Sequence, residues 1–141
     1  MRDVDLTLSK GKLLALAGAN GSGKTTLLKS LAGLLKVTSG TVKVFGMEPL
    51  QNRVAIMRQA RFSFAPPPLY DSLTAFEHLK FLTAVGIDPQ LRPTSRDMSR
   101  VLSMVGLADR AYDKTSVYSF GMRQRLALAM SLLPMPQLLV M

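Results

Sequence analysis

Residues 18–26 read GANGSGKTT, and the spacing G-x-x-x-x-G-K-T suits a loop that wraps backbone N–H groups around phosphates at the start of a helix. Gly18 allows a sharp exit from a preceding strand, while Gly21 and Gly23 allow backbone conformations and close approaches that a Cβ would obstruct. Ala19, Asn20 and Ser22 fill the positions between them, and Thr26 continues the helix start. Lys24 is expected to place its ammonium on the β- and γ-phosphates of a nucleoside triphosphate. Thr25 offers a hydroxyl for the Mg²⁺ ion that bridges the same phosphates. A glycine-rich turn that merely lets a helix pack closely on a sheet is the plainer reading. The Lys-Thr-Thr run, the apolar LLALA before it and the amphipathic LLKSLAGLL after it argue against that reading.

A second stretch, YSFGMRQRLALAMSLL, puts a Ser and a Gly at the mouth of a helix with Arg and Gln on its first turn. Ser119 is a favoured N-cap, and helix N-termini attract anions. Taken alone, this is an ordinary helix start. Other residues invite chemistry less well. Glu77 and His78 are neighbours whose side chains point apart on a helix, which favours structural or surface roles. Met98, Met122 and Met130 recur at helical core spacing, so packing explains them.

These residues need elements to hold them. Val4, Leu6 and Leu8 alternate as in a half-buried strand, and Gly11-Lys12 turns the chain into a buried strand at LLALA. The helix after the phosphate loop places Leu27, Leu28, Leu31 and Leu35 on one face and ends near residues 33–36. TVKVFG reads as a strand closed by Gly46, VAIMRQA as a short helix, and FSFA as another strand. Pro66, Pro67 and Pro68 forbid helix and stiffen the loop that follows. From Thr74 the pattern is helical: Phe76, Leu79 and Phe81-Leu82 on one helix, and Met98, Val101, Leu102 and Val105 on the next, with Pro89 and Pro93 between. A third helix begins near Ser119, with Met122, Leu126, Ala129, Met130 and Leu133 on its apolar face, and Pro134 stops it. QLLVM then begins a buried strand.

With 141 residues and 48% apolar composition, the chain is long enough for one compact domain with a core. Eighteen Lys and Arg against nine acids give a net charge of +9, suited to phosphates, nucleic acid or an anionic surface, or to a basic solvated face. No basic run with interleaved aromatics points to nucleic acid. The absence of Cys excludes disulfides and thiolate metal sites, and a single His cannot make a zinc site. The opening MRDVDLTLSKGK lacks the apolar core of a signal peptide, and no apolar run reaches the roughly 18 residues of a membrane span.

The two motifs, about 95 residues apart, together resemble the nucleotide-binding domain of ATP-binding cassette (ABC) transporters. SGTVKVFG, LYDSLTAFEHL and PMPQLLVM extend the resemblance over almost all of the chain. It implies an α/β fold: a P-loop NTPase core with a mixed sheet and an inserted helical subdomain, incomplete at both ends. Residues 1–73 would form the core, residues 74–118 the helical subdomain, and residues 119–141 the signature helix with the start of the Walker B strand. Tyr118, Ser119, Phe120, Gly121 and Met122, followed by Gln124-Arg125-Leu126, match the signature motif in its YSxGM form. Phe120 stands where the family often has Gly or Lys. Ser119 and Gly121 would touch the γ-phosphate of ATP held by the opposite subunit.

The cofactors implied are ATP and Mg²⁺. The partners implied are a transmembrane transporter subunit and a second nucleotide-binding domain, as homodimer or heterodimer, with no nucleic acid expected. The location implied is peripheral, on the cytoplasmic face of the membrane. The motif form is more similar to export systems than to importers. The family's adenine-stacking aromatic would precede this stretch, and its γ-phosphate-sensing glutamine aligns with Ala65. The Walker B Asp and catalytic Glu would follow Met141, so no catalytic acid is expected within these residues, which are expected to bind nucleotide with little turnover. Alternatives are a non-transport ABC ATPase acting in translation or DNA repair, a non-catalytic remnant, or a different P-loop protein. The last is disfavoured by the signature and by the lack of an N-K-x-D guanine-reading motif.

Overall fold

A computed structural model of the chain describes residues 4–64, 68–86, 92–133 and 135–141. Ala65, Pro66, Pro67, Pro89 and Pro134, which figured in the sequence expectations, lie outside the described residues. The chain divides into two compact units, one running to Ala60 together with Val140, the other spanning Arg61–Leu139 with Met141.

The first unit is built on α1 (Lys24–Leu31) and the short α2 (Arg53–Met57). Gly33 ends α1 as the sequence suggests. The Gly33 N–H donates to Ser30 O at 3.1 Å and the Leu34 N–H to Lys29 O at 2.9 Å, with Gly33 at φ 65°. This is the paired arrangement that satisfies the last carbonyls of a helix. A Cβ on Gly33 would come within 2.4 Å of the Pro49 carbonyl oxygen, so space as well as backbone angle requires glycine. Leu35 therefore falls beyond the helix and is exposed, contrary to its expected place on the apolar face. Ala32, Val44, Ile56, Ala60 and Val140 are the buried apolar residues of this unit among those described.

Three expected strands do not form here. Val4, Leu6 and Leu8 are exposed, and Leu13 in LLALA is 91% exposed. Alternation and apolarity are necessary for a strand, but the backbone must also find a ladder partner. The one sheet formed by the described residues pairs β1 (Ala60–Phe62) with β2 (Leu138–Val140). TVKVFG reduces to a tight reversal in which Val44 and Met47 exchange hydrogen bonds at 2.9 and 3.0 Å. Phe45 and Gly46 carry its left-handed angles, as a two-residue reversal demands. β1 lies slightly ahead of the expected FSFA strand, whereas β2 falls within QLLVM.

The second unit has its core among α3 (Ala75–Gly86), α4 (Ser95–Met104) and α5 (Phe120–Leu132). Leu79, Val101, Leu102, Leu107, Leu126 and Leu133 are fully buried. The predicted apolar faces hold for α4 and α5, where Met98, Val101, Leu102, Val105, Leu126, Ala129, Met130 and Leu133 all enter the core. Phe81 departs from expectation: half exposed, it meets Tyr70 edge-on at 6.0 Å. It lies two residues after Leu79, roughly opposite it around the helix. Both entry points are capped reciprocally. Thr74 and Glu77 exchange bonds of 2.8 and 3.1 Å ahead of α3, and Thr94 and Asp97 do the same at 2.8 and 3.3 Å ahead of α4. Among the described residues no helix is long and apolar enough to cross a membrane.

Candidate functional site

The phosphate loop lies in the first unit and closes on its own lysine. Ser22 N–H donates to Ala19 O at 3.2 Å, making a tight turn through Asn20 and Gly21, and Gly21 takes φ 82°. Gly23, at φ 96° and ψ 8°, is the left-handed residue from which α1 starts. A side chain at Gly23 would strain that angle. Lys24 Nζ donates to Gly18 O at 2.6 Å, to Ala19 O at 2.8 Å and to Ser22 Oγ at 3.3 Å. All three protons of the ammonium are thus satisfied by the curl of the loop, and the charge sits at its mouth. A Cβ on Gly18 would stand 3.0 Å from Ser22 Oγ and 3.9 Å from Lys24 Nζ, crowding this arrangement.

The start of α1 is electropositive. It has no side-chain cap and no acid in its first turn, and its first internal bond runs from Leu27 N–H to Gly23 O at 2.9 Å. The N–H groups of Lys24, Thr25 and Thr26 therefore precede the helical ladder and carry the positive end of the helix dipole. Thr25 and Thr26 are exposed. Convergent N–H groups, an ammonium and two hydroxyls, with no carboxylate among them, fit a polyphosphate. Among the described residues no three His, Cys, Asp or Glu converge as metal ligands. The exposed Thr25 hydroxyl is the oxygen donor suited to a hard cation shared with the phosphates.

The second motif lies in the other unit. Tyr118 is buried and its hydroxyl donates to Arg110 O at 2.5 Å. Burial, and then the nearby Asp113 carboxylate, push its phenol above the ordinary value of 10.0. Tyr118 is thus an anchor beneath the motif. Ser119 caps α5, its Oγ accepting from Met122 N–H at 3.3 Å, as its position in the sequence suggests. Met122 is half-buried against the core. Phe120 points outward at 77% exposure, so its ring crowds nothing within the chain.

Gly121 stands in the first turn of α5, where a Cβ would meet nothing within 4 Å. Glycine in a helix costs about 1 kcal/mol relative to alanine, and no contact inside the chain requires it. Open space around it leaves room for close approach from outside.

Several residues that organise this motif escaped sequence reasoning. Arg123 Nη2 donates to Asp71 Oδ1 at 2.5 Å, and Arg125 Nη1 donates to Gly106 O at 3.2 Å, capping the end of α4. Thr115 is buried, its Oγ1 donating to Tyr70 O at 2.9 Å. His78 is buried as well. Its Nε2 accepts from Tyr70 N–H at 2.9 Å and its Nδ1 faces Thr74 O at 2.8 Å, which assigns the proton to Nδ1. The structural role expected for His78 is the one it occupies. The T-x-x-E and T-x-x-D spacings of the two capping boxes were readable signals. No local pattern marks the pairing of Asp71 with Arg123.

Comparison with known proteins follows the same lines. The family model described as "ABC transporter" matches residues 1–141. The uncharacterised ABC transporter ATP-binding protein YdbJ of Bacillus subtilis (strain 168) is 33% identical over 141 residues, covering 100% of this chain and 44% of that protein. The lantibiotic transport ATP-binding protein SrtF of Streptococcus pyogenes is also 33% identical, covering 100% of this chain and 58% of its own length. The chain thus spans about half the length of these curated relatives. Among solved structures, CbiO1 from Clostridium perfringens, described as part of the ABC transporter complex cbiONQ, superposes with a TM-score of 0.80. It is 22% identical over 96% of this chain and 55% of that one, a likeness of fold.

Proposed function

The chain belongs to the ABC transporter family, and from that premise we propose that it is the nucleotide-binding part of an ATP-driven transport subunit. Residues Gly18, Ala19, Asn20, Gly21, Ser22, Gly23, Lys24, Thr25 and Thr26 cradle the triphosphate of ATP. Lys24 exchanges its bonds to Gly18 O and Ala19 O for phosphate oxygens, and the N–H groups at the start of α1 take up the remaining charge. Thr25 would hold Mg²⁺ through its hydroxyl, and the ion would supply neutralisation of phosphate charge. Tyr118, Ser119, Phe120, Gly121 and Met122 form the surface that meets ATP held by a second nucleotide-binding domain, with Ser119 Oγ and the Gly121 backbone nearest the γ-phosphate. The observation that carries this reading is the ammonium of Lys24 held at an uncapped, acid-free helix start.

In the parent protein, ATP binding brings two such domains together and hydrolysis releases them, driving a transmembrane subunit from the cytoplasmic face of the membrane. The YSxGM form of the motif favours export. Residues 1–141 taken by themselves bind nucleotide without efficient turnover, a reading supported by the lack of an acid in the first turn of α1 and of any converging group of three His, Cys, Asp or Glu among the described residues.

The test is phosphate release by the full-length protein. Lys24→Ala and Ser119→Arg should each abolish it, and a mixture of the two variants should recover part of the activity, because one of the two composite sites in a mixed dimer is intact. Activity that survives Lys24→Ala sinks the assignment of the loop. Failure of the mixture to recover sinks the two-chain site. Lys24-dependent phosphate release by residues 1–141 alone would overturn the claim about turnover.

A further inference from the structure

The start of α5 carries a cation where the helix dipole disfavours one. Arg123 lies in the opening turn, its N–H bonded to Ser119 O at 3.0 Å, and α5 has no acid in that turn. The compensating carboxylate comes from Asp71, in the segment ahead of α3, through the 2.5 Å bond to Arg123.

Asp71 is not on a loose loop. Its carbonyl accepts from Ser116 N–H at 3.2 Å, its neighbour Tyr70 is bonded to buried Thr115 and buried His78, and Leu73 O accepts from Thr115 N–H at 2.9 Å. Thr74 and Lys114 form a bridge on the same seam. The segment 70–74 is therefore a strap fastened to residues 114–116, and the ion pair is the point where this strap grips α5. Arg123 is four residues from Ser119, on the same helix face.

We propose that Asp71 is a positioning residue for the signature motif: through Arg123 it sets the rotation of the first turn of α5, and with it the aim of Ser119 Oγ and the Gly121 backbone. The consequence for turnover rests on the function proposed above; the positioning itself does not.

The experiment uses the full-length protein and three variants: Asp71→Asn, Arg123→Gln and the charge exchange Asp71→Arg with Arg123→Asp. Each single variant is expected to lower kcat for ATP about two- to fivefold, the range an exposed ion pair supports. KM should stay unchanged, because the phosphate loop is untouched. The exchange should restore kcat. A single variant with unaltered kcat, an exchange that restores nothing, or a rise in kcat for Asp71→Asn overturns the proposal. Amide hydrogen exchange at Met122 and Arg123 reads the positioning without turnover: it should quicken in both single variants and slow again in the exchange. If the wild type has no Lys24-dependent hydrolysis, the functional reading fails and the exchange rates alone decide. Unchanged rates at those two amides sink the positioning role.

Discussion

At the scale of single residues, the informative ones are those whose polar atoms are fully accounted for. Lys24 has three partners within its own loop, so binding a phosphate replaces contacts already made and the net gain is modest per bond. Removal of the ammonium leaves the anion without its closest cation. Lys24→Ala should weaken nucleotide affinity about 10- to 100-fold, as a charge-assisted bond predicts, measured by titration with a fluorescent ATP analogue. His78 is the complementary case, a titratable group used for structure. His78→Phe leaves the part-buried Tyr70 N–H without its acceptor and should destabilise the second unit by about 1–3 kcal/mol, read from the denaturant midpoint. The local sequence showed Lys24 plainly, because every residue that handles it lies within six positions. His78 was legible only as not catalytic, since its partners are set by how residues 70–74 fold back.

At the scale of elements, the helices were readable and three of the five expected strands were not. Periodicity and caps are contained in the segment itself, which is why α4 and α5 bury the residues expected. Leu126→Ala removes a fully buried side chain from the centre of α5 and should cost about 2–5 kcal/mol, observable as a lowered denaturant midpoint.

The caps also carry a pH signature. Hydrogen bonds from Thr74, backbone first and then side chain, hold the Glu77 carboxyl below its ordinary 4.5. Side-chain and then backbone bonds from Thr94 hold Asp97 below 3.8. Groups lowered in the folded state stabilise it above their ordinary values and lose that effect as pH falls through the lowered ones. Thermal stability should therefore drop as pH falls below about 4.5 and further below 3.8. Replacing Glu77 and Asp97 by Ala should flatten that part of the profile in a series of melting curves. Strands are different. LLALA has the composition of a buried strand, yet its backbone groups need a ladder that only another segment can supply.

At the scale of the whole molecule, the phosphate loop and the signature motif fall in different compact units, each with its own organisation. A ligand that binds one folded unit stabilises it by mass action, about 2.7 kcal/mol at a hundred times the dissociation constant. MgATP should thus raise the melting temperature of the wild type and raise that of Lys24→Ala by clearly less at the same concentration, as a dye-based melt would report. The sequence by itself determined the placing of the loop at residues 18–26 ahead of a helix, the starts of α1, α3 and α5 and many of the residues filling the core of the second unit. Each of these depends on contacts within a turn or two of chain. Only the tertiary structure decided that Phe81 is exposed, that three apolar stretches stay out of a sheet, and that Asp71 grips Arg123 at the mouth of α5. Those outcomes depend on which distant segments meet. Spacing along the chain carries no record of that meeting, because the free energy of a ladder or an ion pair is realised only once both partners are in place.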